Sequence, residues 1–278
     1  MNIKAYAKIN LTLDILGLRG DGFHELGSVT APISLYDSVS VEKSDTNVFK
    51  CDMPELRVAD NFCIRARDAF FARTGIAQPV TIKLQKHIPY PAGLGGGSAD
   101  AAAVLNGLNS LFGEPLAVEE LYDIGASVGS DVPMCMLGKC ALCRGRGEKL
   151  TVLSGVPKLY ITVAIGEGRL PTANVFKEYD ASGARPTGFT GEFIKAVEAG
   201  DEKAMLASMG NGFTDICARL CPETKEMRAK LRSCGAKAAV LSGSGPAVYG
   251  VFANEREAMD AAREMRQKGF FAVNCETM

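Results

Sequence analysis

The chain has 278 residues, of which 47% are hydrophobic and 23% are charged, and its formal net charge is −1. This balance is typical of a globular protein with a substantial core, built as two domains or as one large α/β domain. Because the net charge is close to zero, the chain has no strong field to attract nucleic acid or an anionic membrane surface, and neither is expected as a partner. The sequence makes no prediction of oligomeric state.

The amino-terminal residues lack the apolar stretch of a signal peptide, and no later segment approaches the ~20 consecutive apolar residues that span a bilayer. Nine cysteines, an odd number, are scattered through apolar surroundings. They indicate reduced thiols in a cytoplasmic protein. Zinc binding by Cys140 with Cys143, or by Cys217 with Cys221, is a weaker alternative. In the first pair, residues i and i+3 of an extended chain would point to opposite faces. No protein-bound metal is therefore predicted.

The first predicted element is a strand over residues 3–15, where apolar and polar residues alternate. Its polar residues would form a solvent-facing stripe: Lys4, Tyr6, Lys8, Asn10, Thr12 and Asp14. A turn is predicted at 19–22, where Arg-Gly-Asp-Gly interrupts the pattern, and short strands are predicted at 29–35 and 39–41.

Four more elements follow before residue 130: a helix over about 61–73, a strand over 80–84, and helices over 98–112 and 119–128. Asp60 or Asn61 would cap the first of these helices. Ser98 would cap the second, with Asp100 in its first turn. The apolar run at 132–137 is expected to be extended chain, as are the residues that follow it.

The pattern loosens around residues 150–158, where we place a domain boundary that gives domains 1–153 and 154–278. Further elements are predicted beyond it: a strand over 159–165, helices over about 190–209 and 223–233, strands over 238–242 and 247–252 that form a hairpin, a helix from Asn254 to Gly269, and a strand over 270–273. This mixture of strands and helices belongs to the α+β class.

The strongest functional signal is the segment Pro91–Asp100, which has four glycines among the five residues Gly93–Gly97. Glycines let a backbone approach an anion without Cβ clashes, and the helix that follows would aim N–H groups and its positive dipole end at a phosphate. The spacing is not that of a Walker A loop, and Ser98 stands where the last glycine of a dinucleotide fingerprint belongs. A flexible connection without a ligand is the alternative, but it would not require so many glycines, which cost folding entropy.

Other candidate residues have an ordinary structural interpretation when each is taken alone. Lys8 on a predicted strand is usually a solvated charge, and Asp131 before Val-Pro is commonly a turn residue. The Gly243–Pro246 turn suits any hairpin, and a single histidine such as His24 is weak evidence for catalysis.

Taken together, three segments in this order resemble the motifs of the GHMP kinase superfamily, which includes galactokinase, homoserine kinase, mevalonate kinase and phosphomevalonate kinase. They are Ala7–Leu11, Gly93–Asp100 and Leu241–Pro246, and the resemblance runs from residue 5 to about residue 253. Shorter segments are similar to a branch of that superfamily whose acceptor alcohol carries a cytidine diphosphate group: Asp21–His24, Asp60–Asn61, Gly129–Pro133 and Gly145–Glu148. The order and spacing make the resemblance specific.

The resemblance implies two domains, the first with a left-handed βαβ crossover and the second ferredoxin-like. It implies a kinase that uses ATP with Mg²⁺ and phosphorylates a small molecule with a cytidine diphosphate group. Asp131 would accept the proton of the attacking hydroxyl, and Lys8 would stabilise the developing alkoxide.

The resemblance also implies two sets of binding residues. Those for ATP are Asn61, on the adenine side, and a run around the triphosphate: Pro89, Tyr90, Pro91, Ala92, Gly93, Leu94, Gly95, Gly96, Gly97, Ser98 and Ala99. Those for the acceptor substrate are Asn10, Phe23, His24, Thr172, Phe176, Gly243 and Ser244. The two aromatic rings would stack on cytosine, and the histidine would contact its polar edge.

Two departures from the branch are visible. Phe23 stands where many members carry Tyr, which removes a hydroxyl and keeps the stacking face. Pro91-Ala92 replaces glycines upstream of the loop and makes the loop stiffer.

Two alternatives stay open. One is another small-molecule kinase of the superfamily, of the mevalonate or homoserine type; the other is a non-catalytic nucleotide- or RNA-binding module on the same fold. Asp131 argues against the homoserine type, and the set of Phe23, His24 and Phe176 argues against the mevalonate type. Retention of both Lys8 and Asp131 argues against a module without turnover.

Overall fold

The computed structural model describes residues 1–278 and divides the chain into two compact units, each discontinuous in sequence. The first unit consists of Met1–Lys8, Leu35–Pro89 and Gly95–Gly138; the second consists of Ile9–Ser34, Tyr90–Leu94 and Lys139–Met278. The strands β1 (Asn2–Leu18) and β2 (His24–Lys43) contribute residues to both. Neither unit is one uninterrupted stretch, and the domain boundary near residue 153 stays a prediction.

The first unit contains four helices and two further strands: β3 (Val48–Cys51), α1 (Phe62–Thr74), β4 (Val80–Gln85), α2 (Gly96–Leu111), α3 (Val118–Val128) and α4 (Val132–Leu137), with a 3₁₀ turn at Pro54–Leu56. β4 pairs antiparallel with β2, with Ser38 opposite Gln85, and parallel with β3. Asn61 caps α1 as predicted, because its side chain accepts a hydrogen bond from the backbone N–H of Cys63.

Helix α2 is the core element of the first unit, since eleven of its sixteen residues are buried. Four of these buried residues are alanines and one is Gly107, so neighbouring elements approach the helix backbone closely. A Cβ atom at Gly107 would lie only 2.5 Å from the Ile3 side chain. The dense packing holds the start of α2, where the glycine-rich loop ends, in a fixed position.

The second unit contains the remaining elements: β5 (Ala141–Gly145), β6 (Lys149–Val152), β7 (Tyr160–Ile165), α5 (Thr172–Ser182), α6 (Phe189–Glu198), α7 (Glu202–Ser208), β8 (Gly210–Asn211), α8 (Thr214–Leu220), α9 (Glu223–Ser233), β9 (Ala238–Leu241), β10 (Val248–Phe252), α10 (Glu255–Gln267) and β11 (Phe271–Glu276). β5 pairs antiparallel with β2 and β6, and β8 pairs parallel with β1.

Four of these strands form a separate antiparallel sheet in the order β11-β7-β10-β9. In chain order, β7, α9, β9, β10, α10 and β11 follow the β-α-β-β-α-β pattern of ferredoxin-like domains. Buried residues of α9 and α10, among them Met227, Leu231 and Met265, share one core with this sheet. The β9–β10 hairpin predicted from the sequence is confirmed.

Several predictions of local structure are wrong. Residues 132–137 form helix α4 and not extended chain, because Pro133 stands in the first turn, where no N–H is needed, and Gly138 ends the helix in the left-handed region. The two short strands predicted between 29 and 41 belong to the single strand β2. The helix predicted at 190–209 is two helices, α6 and α7.

The prediction that the polar face of β1 is exposed to solvent is also wrong from Lys8 onwards. Lys8, Asn10, Thr12 and Asp14 are all buried, as are the apolar residues between them. Hydrogen-bond partners far along the chain satisfy Thr12 and Asp14. Elsewhere, no disulfide forms among the nine cysteines, and none of the ten helices has the length and apolar composition needed to traverse a bilayer.

Candidate active site

The downstream half of the glycine-rich loop runs directly into helix α2. The helix begins at Gly96, with Gly95 as N-cap at a φ of +68°, so the prediction of Ser98 as N-cap is wrong. Ser98 lies in the first turn and is buried, and Asp100 lies beyond that turn, which contains no acidic residue. No side chain caps this helix start. Its first N–H groups, which lack partners inside the helix, are therefore suited to an anion.

Lys8 and Asp131 form an ion pair next to Gly95. The Lys8 Nζ lies 3.2 Å from Asp131 Oδ2, and the lysine side chain is 7% exposed whereas the aspartate side chain is 41% exposed. A Cβ atom at Gly95 would lie 2.8 Å from the Lys8 Cγ atom, so only glycine fits against the lysine stem. The loop is therefore in close contact with the lysine stem, and the Asp131 carboxylate is accessible to solvent.

Asp131 immediately precedes α4, which is where an aspartate would cap a helix. Its side chain makes no capping hydrogen bond, and only its backbone carbonyl is used, by the N–H of Cys135 at 3.1 Å. The carboxylate therefore does not serve the turn in which it stands. This speaks against the interpretation of Asp131 as a turn residue.

A second, buried lysine lies beneath the start of α2. Lys86 Nζ donates to Asp37 and, at 2.8 Å, to Asp100, and these three side chains are at most 4% exposed. Asp37 also accepts hydrogen bonds from the backbone N–H groups of His87 and Ile88. Asp100 Oδ1 has no partner at all. Asp37 is therefore the better hydrogen-bonded of the two carboxylates.

The pKa values of Asp100 and Lys86 are shifted in this buried cluster, in which two carboxylates share one cation. Burial raises the pKa of Asp100 to about 8, although Lys86 alone would lower it. Burial alone would lower the pKa of Lys86, but the two carboxylates outweigh it and raise that pKa. A Cβ atom at Gly96 would lie 3.2 Å from Lys86 Nζ, so the cluster sits directly under the loop.

Asn61 is fully engaged in local structure. Its Oδ1 caps α1, and its Nδ2 donates to the Leu56 carbonyl at 2.9 Å. These bonds fix the side chain between the 3₁₀ turn and α1. The predicted position of Asn61 near adenine stays a prediction.

The upstream half of the loop, in the second unit, is held by the Gly243 turn. Ser242 Oγ donates to the Gly93 carbonyl at 3.0 Å, and the Ala247 N–H donates to the Ala92 carbonyl at 3.0 Å. Gly93 has a φ of +78°, and a Cβ atom there would collide with the Ser242 carbonyl oxygen. The turn therefore supports the loop.

Two predicted substrate residues meet at the same turn. Thr172, the first residue of α5, lies with its Oγ1 2.8 Å from Ser244 Oγ. Both hydroxyls can donate or accept, so the pair could present either function to a ligand.

An aromatic cluster lies along α5. His24 stacks on Phe176 with ring centroids 4.7 Å apart and an interplanar angle of 28°. Phe176 also meets Phe213 edge to face at 4.8 Å, and Tyr179 contacts the histidine edge to face at 6.5 Å. The His24 Nε2 atom lies 2.8 Å from Asp180 Oδ1. The structure thus brings together two of the predicted substrate residues and adds an aspartate.

Phe23 is half exposed, as expected of a ring that stacks on a ligand, and the Arg146 guanidinium lies 4.8 Å from its centroid. Asn10 is buried on β1, and its amide donates to Ser28 Oγ at 2.8 Å and to Thr30 Oγ1 at 3.1 Å. These contacts hold the Asn10 side chain in a single orientation.

Among the polar and charged residues of these clusters, sequence reasoning missed Asp37, Lys86, Arg146, Asp180 and Ser242. Arg146 and Ser242 lie within segments that carried the resemblance, which is a signal that could have identified them. The other three pair with residues that are up to 156 positions distant, so no local pattern marks them. The structure contains no group of three or more His, Cys, Asp or Glu side chains that could hold a metal ion.

Two family models match the chain: the GHMP kinases N terminal domain over residues 61–139, and GHMP kinases C terminal over residues 193–270. A 4-diphosphocytidyl-2-C-methyl-D-erythritol kinase of Caldicellulosiruptor saccharolyticus is 39% identical over 269 residues, which are 96% of this chain and 93% of that protein. One of Moorella thermoacetica is 38% identical over 96% of this chain and 95% of its own length. A crystal structure of 4-(cytidine 5'-diphospho)-2C-methyl-D-erythritol kinase has a TM-score of 0.83 at 33% identity, and the match covers 100% of this chain and 99% of that one.

Proposed function

Because this chain belongs to the GHMP kinase family, with ATP as co-substrate, we propose that it phosphorylates the 2-hydroxyl of 4-diphosphocytidyl-2-C-methyl-D-erythritol. That reaction is a step of the non-mevalonate route to isoprenoids. The observation that carries the proposal is the ion pair of Lys8 and Asp131 against Gly95.

The ion pair supplies the two functions that transfer to an alcohol needs from a protein. The substrate hydroxyl gives its proton to the Asp131 carboxylate as its oxygen forms a bond to the γ-phosphorus, and the bond from that phosphorus to the ADP oxygen breaks. The buried Lys8 ammonium stabilises negative charge on the attacking oxygen. Because Lys8 is nearly inaccessible, water does not screen its charge strongly.

ATP enters as its Mg²⁺ complex in this proposal. Mg²⁺ commonly keeps several waters and binds through substrate phosphates, with only one or two protein ligands. The run from Pro89 to Ala99 encloses the triphosphate, whose charge is stabilised by the N–H groups and dipole at the start of α2. Asn61 lies on the adenine side.

The acceptor substrate is bound by its cytidine diphosphate group. Phe23 and Phe176 stack on cytosine, and His24 reads its polar edge. Asn10, Thr172, Gly243 and Ser244 complete the pocket. The half-exposed ring of Phe23 and the hydrogen-bonded pair of Thr172 and Ser244 support these roles.

Two alternatives have less support. A mevalonate- or homoserine-type kinase has an acceptor without a base, so it would not need the aromatic cluster around His24 to bind that acceptor. A non-catalytic nucleotide-binding module would not need a nearly buried cation paired with a solvent-open carboxylate, since burying a charge is costly.

A phosphoryl-transfer assay on a panel of four acceptors tests the proposal: the cytidine-diphosphate substrate, mevalonate, homoserine and galactose. We expect turnover of the first alone. Comparable turnover of another acceptor, or ATP binding without transfer to any of them, would overturn the assignment.

The catalytic pair is tested by Lys8→Met, Asp131→Asn and the double variant. Each single variant should bind both substrates normally and lose turnover by roughly a hundredfold or more, as is usual for a lost base or electrostatic stabiliser. The double variant should be far less than additively worse, because both groups act on one hydroxyl. Lys4→Met, on the same strand and exposed, is the matched control and should be fully active. Normal turnover in Asp131→Asn would exclude the carboxylate as the base.

A further inference from the structure

Three residues of α5 contact the His24 ring. Its side chain is 9% exposed, stacked on Phe176 and edge to face with Tyr179. The hydrogen bond from Nε2 to Asp180, at 2.8 Å, is the only one that the ring makes within the chain. The Nε2 atom is therefore fixed by a hydrogen bond. The Nδ1 atom makes none within the chain and can bond to a ligand.

The identity of the partner decides which nitrogen carries the proton. An ionised carboxylate can only accept hydrogen bonds, so Nε2 must be the donor. In a neutral imidazole the other nitrogen is then an acceptor. In the neutral ring, the contact with Asp180 consequently presents Nδ1 as a hydrogen-bond acceptor.

The position of Asp180 is unfavourable for the helix itself. It is the third residue from the end of α5, where the helix dipole disfavours a negative charge. Its side chain is 49% exposed, so it has no role in the core. The contact with His24 is the one interaction that accounts for an aspartate at this place.

We propose that Asp180 is a specificity-determining positioning residue, which acts through the tautomer of His24 to select cytosine over uracil. Cytosine presents an amine that donates at position 4, whereas uracil presents a carbonyl that accepts. An acceptor at Nδ1 forms a hydrogen bond with the cytosine amine. When uracil is bound, Nδ1 and the uracil carbonyl are both acceptors and cannot form a hydrogen bond. This inference rests on the proposed function, in which His24 reads the base of the substrate.

The tautomer can be read without any substrate. The chain has two histidines, His24 and His87, so ¹⁵N NMR of the full-length protein gives two sets of ring signals, and His87→Gln assigns them. At pH 8 the wild-type His24 should carry its proton on Nε2. The conservative variant Asp180→Asn, whose amide oxygen still accepts, should preserve that state. Asp180→Lys, a donor only, should move the proton to Nδ1.

Selectivity is measured as the ratio of kcat/KM for the same acceptor alcohol carried on cytidine diphosphate and on uridine diphosphate. Asp180→Asn should keep the wild-type ratio. Asp180→Lys should lower it by roughly tenfold or more, the effect of one mismatched hydrogen bond. Glu178→Lys makes the same charge change at an exposed position of the same helix and should leave the ratio unchanged.

The two measurements separate the possible failures. A wild-type proton on Nδ1, or on both nitrogens, overturns the inference while the proposed function stands. An unchanged ratio in Asp180→Lys also overturns it. If the wild-type enzyme transfers phosphate to neither nucleotide-linked acceptor, the proposed function fails and the selectivity role fails with it, even with the expected tautomer.

Discussion

The contact of Gly95 with Lys8 offers a perturbation that reaches the proposed catalytic pair without changing either member. In Gly95→Ala, a single methyl group is added at a backbone φ of +68°. It would lie 2.8 Å from Cγ, 3.1 Å from Cε and 3.5 Å from Cδ of Lys8, and so against the whole stem of the lysine.

Two energetic effects follow from this geometry. A left-handed backbone costs an alanine roughly 1–2 kcal/mol of folding free energy. In addition, carbon atoms pack at about 3.5–4.0 Å, so the lysine stem must retreat by several tenths of an ångström. Misplacement of a catalytic group by about 1 Å can cost a hundredfold in rate, so we expect kcat to fall by roughly ten- to a hundredfold.

The control is Gly113→Ala, just beyond the end of α2. Gly113 has a φ of +79°, and a Cβ atom there would meet nothing within 4 Å. It therefore carries the backbone cost alone and should lower stability without lowering kcat. Denaturant unfolding and steady-state kinetics are measured for both variants. A kcat of Gly95→Ala within about twofold of Gly113→Ala would refute the proposed link between the loop and the lysine.

Three further predictions address the loop, the base pocket and the buried cluster. Gly96→Val should abolish ATP binding in calorimetric titration and leave the fold largely intact, because the side chain would press on Ile88 and Lys86 beneath the start of α2 and displace the loop; undiminished ATP affinity would dismiss the phosphate loop. Phe176→Ala should weaken binding of the cytidine substrate by about 1–3 kcal/mol, the worth of base–aromatic stacking, and hardly change ATP affinity; equal losses for both ligands would identify the ring as core packing. Asp100 binds its proton more tightly when folded, because burial raises its pKa to about 8. Its contribution to stability is therefore fully present in acid and is lost as the pH rises towards 8. Asp100→Asn should gain stability relative to wild type between pH 5 and 9, as followed by denaturant unfolding, and a constant difference would contradict the assignment.

Local sequence patterns identified much of the fold. The cap at Asn61, the strand β4, the hairpin of β9 and β10, and helix α10 all lie where periodicity and turn residues predict them. The resemblance to the GHMP kinase family, drawn from three motifs, is confirmed, as is the α+β fold it implies. Motifs succeed here because each is a run of consecutive residues, so the resemblance is visible in one short segment.

Predictions failed where long-range contacts decide the outcome. Ser98 is a good helix cap by residue type, but Gly95 can adopt the left-handed conformation, and the helix begins earlier. Lys86 is by residue type an ordinary charged residue at the end of a strand, but it is buried because Asp37 and Asp100 lie around it. No pattern near Lys86 in the sequence indicates those partners.

The first strand shows how burial separates structural from functional polar residues. Alternation predicted a solvent-facing stripe, yet Lys8, Thr12 and Asp14 are all buried, and a buried polar group is costly unless it is bonded. Asp14 is satisfied by the hydroxyl of Thr187 and by backbone N–H groups at the start of α6, and Thr12 by the hydroxyl of Thr190. These partners lie inside the fold, so Asp14 and Thr12 have a structural role. Lys8 is also buried, and its ion-pair partner Asp131 is 41% exposed and makes no capping hydrogen bond. A buried cation that meets a solvent-open carboxylate next to a glycine loop is the observation on which the proposed catalytic role of Lys8 and Asp131 rests.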